Sequence, residues 1–151
     1  MSTIKVDTYL TRGGASEIAI DKLKGASSAA SISVVAEGGS TTTNLQQGLA
    51  KSWVSFDGDT FGINDSFNVA SMTDNGTGSY TVTFANDFAN INYSSNVNCT
   101  DRGAVITVYY QGGDNAVGSH SFLTLIVSNT SGGGTNTDSN HCDVQYFGDL
   151  A

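Results

Sequence analysis

The chain has 151 residues and a formal charge of −8, with 14 acidic side chains against 6 basic ones. That length holds one ordinary domain, or one domain with a short appendage, and so acidic a surface repels phosphate backbones and argues against nucleic acid as a partner. Ser, Thr, Asn and Gly supply 67 residues, proline is absent and charged residues are only 13%, a balance that favours turns and strands over helices. With 38% hydrophobic residues the composition argues against disorder, and it predicts an all-β fold.

The N-terminus, Met1-Ser2-Thr3-Ile4-Lys5-Val6-Asp7, alternates apolar and polar residues and lacks the apolar core of a secretory signal. No stretch approaches the roughly 20 apolar residues that cross a bilayer, so membrane insertion is not expected. Ile4-Lys5-Val6, Ile18-Ala19-Ile20 and Ile32-Ser33-Val34 begin 14 residues apart, with Arg12-Gly13-Gly14 and Lys24-Gly25 as turn signals between them. Strands this short cannot bury a face alone, so repetition or oligomerisation is the expected remedy. Chance recurrence of β-branched triplets in an all-β chain is the competing reading. Glu37-Gly38-Gly39-Ser40-Thr41-Thr42-Thr43 reads as a linker or surface loop.

A change of character near residue 50 divides the chain. Residues 1–52 hold five basic and four acidic side chains, with Tyr9 their one aromatic, whereas residues 53–151 hold ten acidic residues, Arg102 as the one base, and thirteen of the fourteen aromatics. Aromatic side chains bury the most area per residue, so the compact core is expected at 51–151, with 1–50 as a stem or attachment segment. Lys51 to Phe56, Phe67 to Met72 and Tyr80 to Phe84 alternate as strands, and Asp57-Gly58 ends the first. Asp74-Asn75-Gly76-Thr77-Gly78 between the second and third predicts an antiparallel hairpin turning at Asn75-Gly76. Trp53, Phe56, Phe67, Val69, Tyr80, Val82 and Phe84 are the expected core. Ala104 to Tyr110 and Ser121 to Val127 are further strands, with partly continuous apolar runs that suggest burial on both faces or an oligomer interface. Residues 131–140 contain no side chain expected to anchor them, which predicts an exposed mobile loop, and Cys142 to Phe147 is the closing strand. Short antiparallel strands in this succession predict a β-sandwich.

Chemistry is sparse. His141 and Cys142 are adjacent, but their spacing matches no zinc motif, and His120 lies at a strand start. Asp57-Gly58-Asp59 with Asp65 lacks the spacing and distal Glu of a calcium loop and reads as a turn. No nucleophile elbow or phosphate-cradling glycine motif occurs, so neither an enzyme nor a cofactor site is expected. Cys99 and Cys142 allow one bridge or two free thiols. Tyr93, Tyr109, Tyr110 and Tyr146 could contact polar ligands such as glycans, but strand or interface packing is the favoured reading for most of them.

Lys51-Ser52-Trp53-Val54-Ser55-Phe56-Asp57-Gly58 resembles a block in short fibre proteins of tailed bacteriophages, especially those of aquatic hosts. Ile63, Ser66-Phe67-Asn68-Val69, Thr73 to Gly78, Tyr80 to Phe84 and Asn92-Tyr93 continue the resemblance, and Phe147-Gly148-Asp149 is similar to the family's ending. Ser2 to Thr8 is a shorter match, and Val97 to Asn140 lies outside it. The resemblance implies a virion structural protein, a tail fibre or fibre tip, usually homotrimeric, made in the infected host cytoplasm. It would grip another virion protein through its N-terminus and touch a host-surface glycan or protein through a jelly-roll-like knob. It implies no catalytic residues. Ile4, Val6, Ile18 and Ile20 are the attachment candidates on this reading, and residues 112–119 and 131–140 are the candidate receptor loops, because they lack core anchors. A capsid-decorating or neck-attached fibre and a standalone carbohydrate-binding β-sandwich module are the alternatives, and a fibre-borne depolymerase is disfavoured by the small size of the distal domain.

Overall fold

The structure is a computed structural model, and it describes residues 13, 22–23, 32–36, 39–100, 106–109, 115–127 and 134–151. The attachment candidates Ile4, Val6, Ile18 and Ile20, and with them most of the 14-residue recurrence, lie outside the described residues. The third triplet enters β1, Ser33–Val35, which pairs antiparallel with β2, Thr42–Asn44. Thr42 and Thr43 are therefore in a strand rather than in the linker expected over 37–43. Asn44 then caps a single helical turn, α1, Leu45–Gly48, by accepting from the Gln47 amide at 3.0 Å.

The remaining strands are β3, Ser52–Asp57; β4, Gly62–Phe67; β5, Val69–Gly76; β6, Ser79–Phe84; β7, Ser94–Thr100; β8, Ile106–Tyr109; β9, Asn115–Ala116; β10, Ser119–Val127; β11, Gly134–Asn136; and β12, His141–Phe147. They form two antiparallel sheets. One runs β4-β3-β12-β7, and the other is built on β10, with β6 (followed by β5) and β11 end to end along one edge and β8 and β9 along the opposite edge. The all-β expectation holds.

Strand alternation puts one core between the sheets. Val54 and Phe56 of β3 and Cys142, Val144 and Tyr146 of β12 point inward from the first sheet; Tyr80, Val82 and Phe84 of β6 and Phe122 of β10 point inward from the second. Rings interlock across the gap: Phe56 meets Tyr80 edge-on at 5.0 Å, and Phe84 meets Tyr146 edge-on at 4.9 Å. Such pairs are worth about 0.5–1.5 kcal/mol beyond their area burial.

Two of the expected core residues lie elsewhere. Trp53 and Phe56 are three apart on one strand, and a period of two sends them to opposite faces. Trp53 is half-buried on the outer face, where its register partner Phe67 is 53% exposed. Val69 is half-buried and packs against the core from β5. The strand expected from Phe67 to Met72 is broken at Asn68, which has a left-handed φ of 56°. Asn68 turns the chain from one sheet to the other, and its amide holds the corner. Its Nδ2 donates to the Lys51 and Asn86 carbonyls at 3.0 and 3.1 Å, and its Oδ1 accepts from Asn86 N at 2.8 Å.

The β5–β6 hairpin forms as expected, but Thr77 and Gly78 are the turn residues, since Gly76 pairs with Ser79. Positive φ falls on Gly76 and Gly78 rather than on Asn75. The extra residue is absorbed as a bulge between Asp74 and Gly76.

Candidate functional site

The register of β10 decides which candidate segments can act together. β9 pairs at its start, Ser119 with Ala116, and β11 pairs at its end, Leu125 with Asn136. Six residues of strand, about 20 Å, separate the two. The described parts of the two candidate segments, 115–119 and 134–140, thus lie at opposite poles of the single chain. Residues 112–114 and 131–133 lie outside the described residues.

At one pole the chain enters the two-sheet unit. Lys51 N donates to the Tyr146 carbonyl at 2.8 Å, and the Gln47 side chain reaches the Asp149 carboxylate. Phe84, Phe88, Tyr93 and Tyr146 pack here, with Phe88 and Tyr93 rings 4.5 Å apart. The residues of the 112–119 segment that the structure describes belong to this entry pole: Phe88 N donates to Val117 O and Phe84 N to Gly118 O, at 2.8 and 2.9 Å. Asn115, Ala116 and Val117 remain exposed.

The far pole gathers the β3–β4 turn, the β5–β6 turn and residues 134–140. Here the expectation of an unanchored loop over 131–140 fails at Thr137 to Ser139. Asp138 Oδ1 accepts from Gly78 N at 2.6 Å and from the Tyr80 hydroxyl at 2.8 Å. Ser139 is fully buried, and its carbonyl accepts from Gly58 N at 2.8 Å. Thr124 closes the arrangement, donating its N–H to Gly78 O and its hydroxyl to Thr137 O. A small polar residue can anchor a loop through hydrogen bonds where it cannot through apolar contact, and that is what composition alone concealed. Burial, then the bond to Asp138, raises the Tyr80 hydroxyl well above its ordinary pKa. Gly134, Thr135 and Asn136 stay exposed.

The other groups with chemical potential are dispersed. His141 and Cys142 are neighbours on a strand, so His141 points outward to pair with Asp143 at 3.1 Å while Cys142 is fully buried; they cannot share a metal. Among the described residues no group of three His, Cys, Asp or Glu side chains is placed to hold one. Asp57 accepts from Thr60 N at 3.0 Å, the turn role expected of the Asp57-Gly58-Asp59 cluster. His120 is fully buried, stacked on Phe122, with Nδ1 3.1 Å from the Tyr146 hydroxyl. Burial lowers its pKa to about 4, which keeps the imidazole neutral. Tyr93 and Tyr146 are core residues, and the Tyr93 hydroxyl donates to Ser119 O at 2.9 Å; burial pushes its pKa up to about 12. Tyr110 and the Tyr109 side chain lie outside the described residues.

One surface went unnoticed in the sequence. On the outer face of the first sheet, register aligns Phe67, Trp53, Gln145 and Asn96 in a row across all four strands. The alternation of Trp53 against the inward Val54 was the available signal.

No known protein family, curated protein or solved structure matches the chain. Among the described residues no helix is long and apolar enough to cross a membrane.

Proposed function

We propose that the chain is a bacteriophage virion structural protein, a trimeric tail fibre or fibre tip, with a jelly-roll-like β-sandwich knob over 51–151 and an attachment segment over 1–50. The observation that carries this reading is the polarity of the knob. The chain enters at the pole built from Lys51, Tyr146 and Asn68, and the turns around Asp57, Thr77 and Asp138 lie at the opposite end. A particle gripped through residues 1–50 would present that far end to the host. Receptor contact is accordingly assigned to Gly134–Asn136 and the neighbouring turns, and Asn115–Val117, at the entry pole, is set aside.

Exposed apolar side chains support assembly. Val34, Val35, Leu49, Ile63 and Phe67 are all more than two-fifths exposed in the single chain, and a trimer would cover such surface. The sequence resemblance at residues 51–93 points the same way. Light scattering on the purified chain tests the reading: a mass of three chains supports it, and a monomer overturns the trimer.

A monomer would favour a carbohydrate-binding module, and the outer-face row is the observation behind that alternative. Trp53 and Phe67 beside Gln145 and Asn96 set aromatic faces next to amide donors and acceptors, the combination that grips a sugar ring. A capsid-decorating or neck-attached fibre would share the fold and differ in what residues 1–50 bind.

A further inference from the structure

Cys99 in β7 and Cys142 in β12 are directly opposed Cα partners in an antiparallel ladder. Both side chains face the core, 8% and 0% exposed, both thiols are free, and they are hydrogen-bonded to each other. Opposed residues of an antiparallel pair have Cα atoms about 4.5–5.5 Å apart, inside the roughly 4.4–6.8 Å that a disulfide spans. Bridging therefore needs side-chain rotation and little backbone movement. Among the described residues β7 is also the last strand of its sheet, so Cys99 sits where the ladder opens most readily.

We propose that Cys99 and Cys142 form an oxidation site, a buried dithiol that a small peroxide converts into a cross-strand disulfide. The contact with Cys142 and burial raise the Cys99 thiol above its ordinary pKa in the closed ladder, so the reaction starts when β7 opens. The solvated Cys99 thiol then loses its proton and its thiolate attacks a peroxide oxygen. The O–O bond breaks, leaving a sulfenic acid on Cys99 and a hydroxide that takes up a proton. The Cys142 sulfur then attacks the Cys99 sulfur, and its proton leaves with the displaced hydroxyl as water. Two thiols and one hydrogen peroxide become one disulfide and two waters, with two electrons passing from sulfur to oxygen. The bridge ties the edge strand β7 to the interior strand β12 and closes a loop that contains β8 to β11. This site does not rest on the fibre reading.

The test treats the full chain with stoichiometric hydrogen peroxide, quenches with catalase, denatures, and alkylates with iodoacetamide before intact-mass analysis. The expected result is the denatured mass of one chain, without a bridge between chains and with no alkylated cysteine, two alkylatable thiols regained after dithiothreitol, and a melting temperature about 5–10 °C above that of the reduced protein. Cys99→Ser should keep its remaining thiol alkylatable through the same treatment. Two alkylatable thiols after peroxide, a bridge only between chains, or loss of the Cys142 thiol in Cys99→Ser would each overturn the proposal. An unchanged melting temperature would overturn the locking of β7.

Discussion

The two poles of the protein are closed by different physics. At the entry pole, Phe84, Phe88, Tyr93 and Tyr146 pack ring against ring around the incoming chain. At the far pole, a carboxylate, two glycines and backbone groups do the closing through hydrogen bonds at Gly58, Gly78, Thr124 and Asp138. Ring packing tolerates small shifts but not deletion, because a cavity follows. Hydrogen-bonded closure tolerates loss of volume but not an added atom, because backbone approaches backbone. The difference predicts opposite sensitivities at the two ends.

Phe88→Ala should give the largest effect. Phe88 is 1% exposed, and its removal is expected to cost about 4 kcal/mol in denaturant unfolding. At the far pole the matching change is an addition. A Cβ on Gly78 would lie 2.6 Å from Thr124 O and 2.7 Å from Thr137 O, at a φ of +68°. Gly78→Ala should cost about 3 kcal/mol or more. Gly76→Ala, also at positive φ but with open space around the new atom, should cost about 1–2 kcal/mol. Equal effects from the two glycines would break the argument from close approach.

Acid should separate the poles as well. The His120 pKa is lowered to about 4 from an ordinary 6.5 by burial, so between those values the unfolded chain binds the proton and the folded chain does not. Stability from this group is complete above pH 6.5, falls as pH drops towards 4, and levels off below; the total is on the order of 3 kcal/mol. The measurement is the unfolding free energy of the wild type against His120→Gln across that window, with the variant lacking this part of the slope. Hydrogen exchange in the same window should rise first at residues 84–93 and 115–120, and last near Gly78.

Asp138→Ala removes the acceptor for Gly78 N and the Tyr80 hydroxyl and should cost about 2 kcal/mol. Asp138→Asn keeps one acceptor oxygen and should cost about half as much. Deleting 132–139 would remove this anchor along with any receptor contact, so single changes at the exposed Thr135 are the sharper probe of host binding. Phe67→Ala, on the outer face, should change monomer stability by no more than about 0.5 kcal/mol; a larger loss that depends on protein concentration would place Phe67 in a subunit interface.

Much of the fold was legible. Alternation from Ser52 to Phe56 and from Tyr80 to Phe84 reports strands because side chains on a pleated backbone alternate faces whatever surrounds them. The same alternation, followed strictly, separates Trp53 from Phe56; aromatic identity alone does not. The anchoring of Asp138 and Ser139 is invisible in the sequence for a related reason. Hydropathy marks residues that anchor through area, and Asp138 and Ser139 anchor through hydrogen bonds whose partners, Gly78, Tyr80 and Gly58, are about 60 to 80 positions away in the chain.

The sequence by itself determined the all-β class and the β5–β6 hairpin, because these follow from local propensity and spacing. Only the tertiary structure decided that Asn115–Ala116 and Gly134–Asn136 lie at opposite ends of β10. It alone turned Asn68 into the corner between sheets and set Cys99 against Cys142. Each of these depends on strand register, and register is fixed by packing between elements far apart in the chain rather than by any residue's own preference.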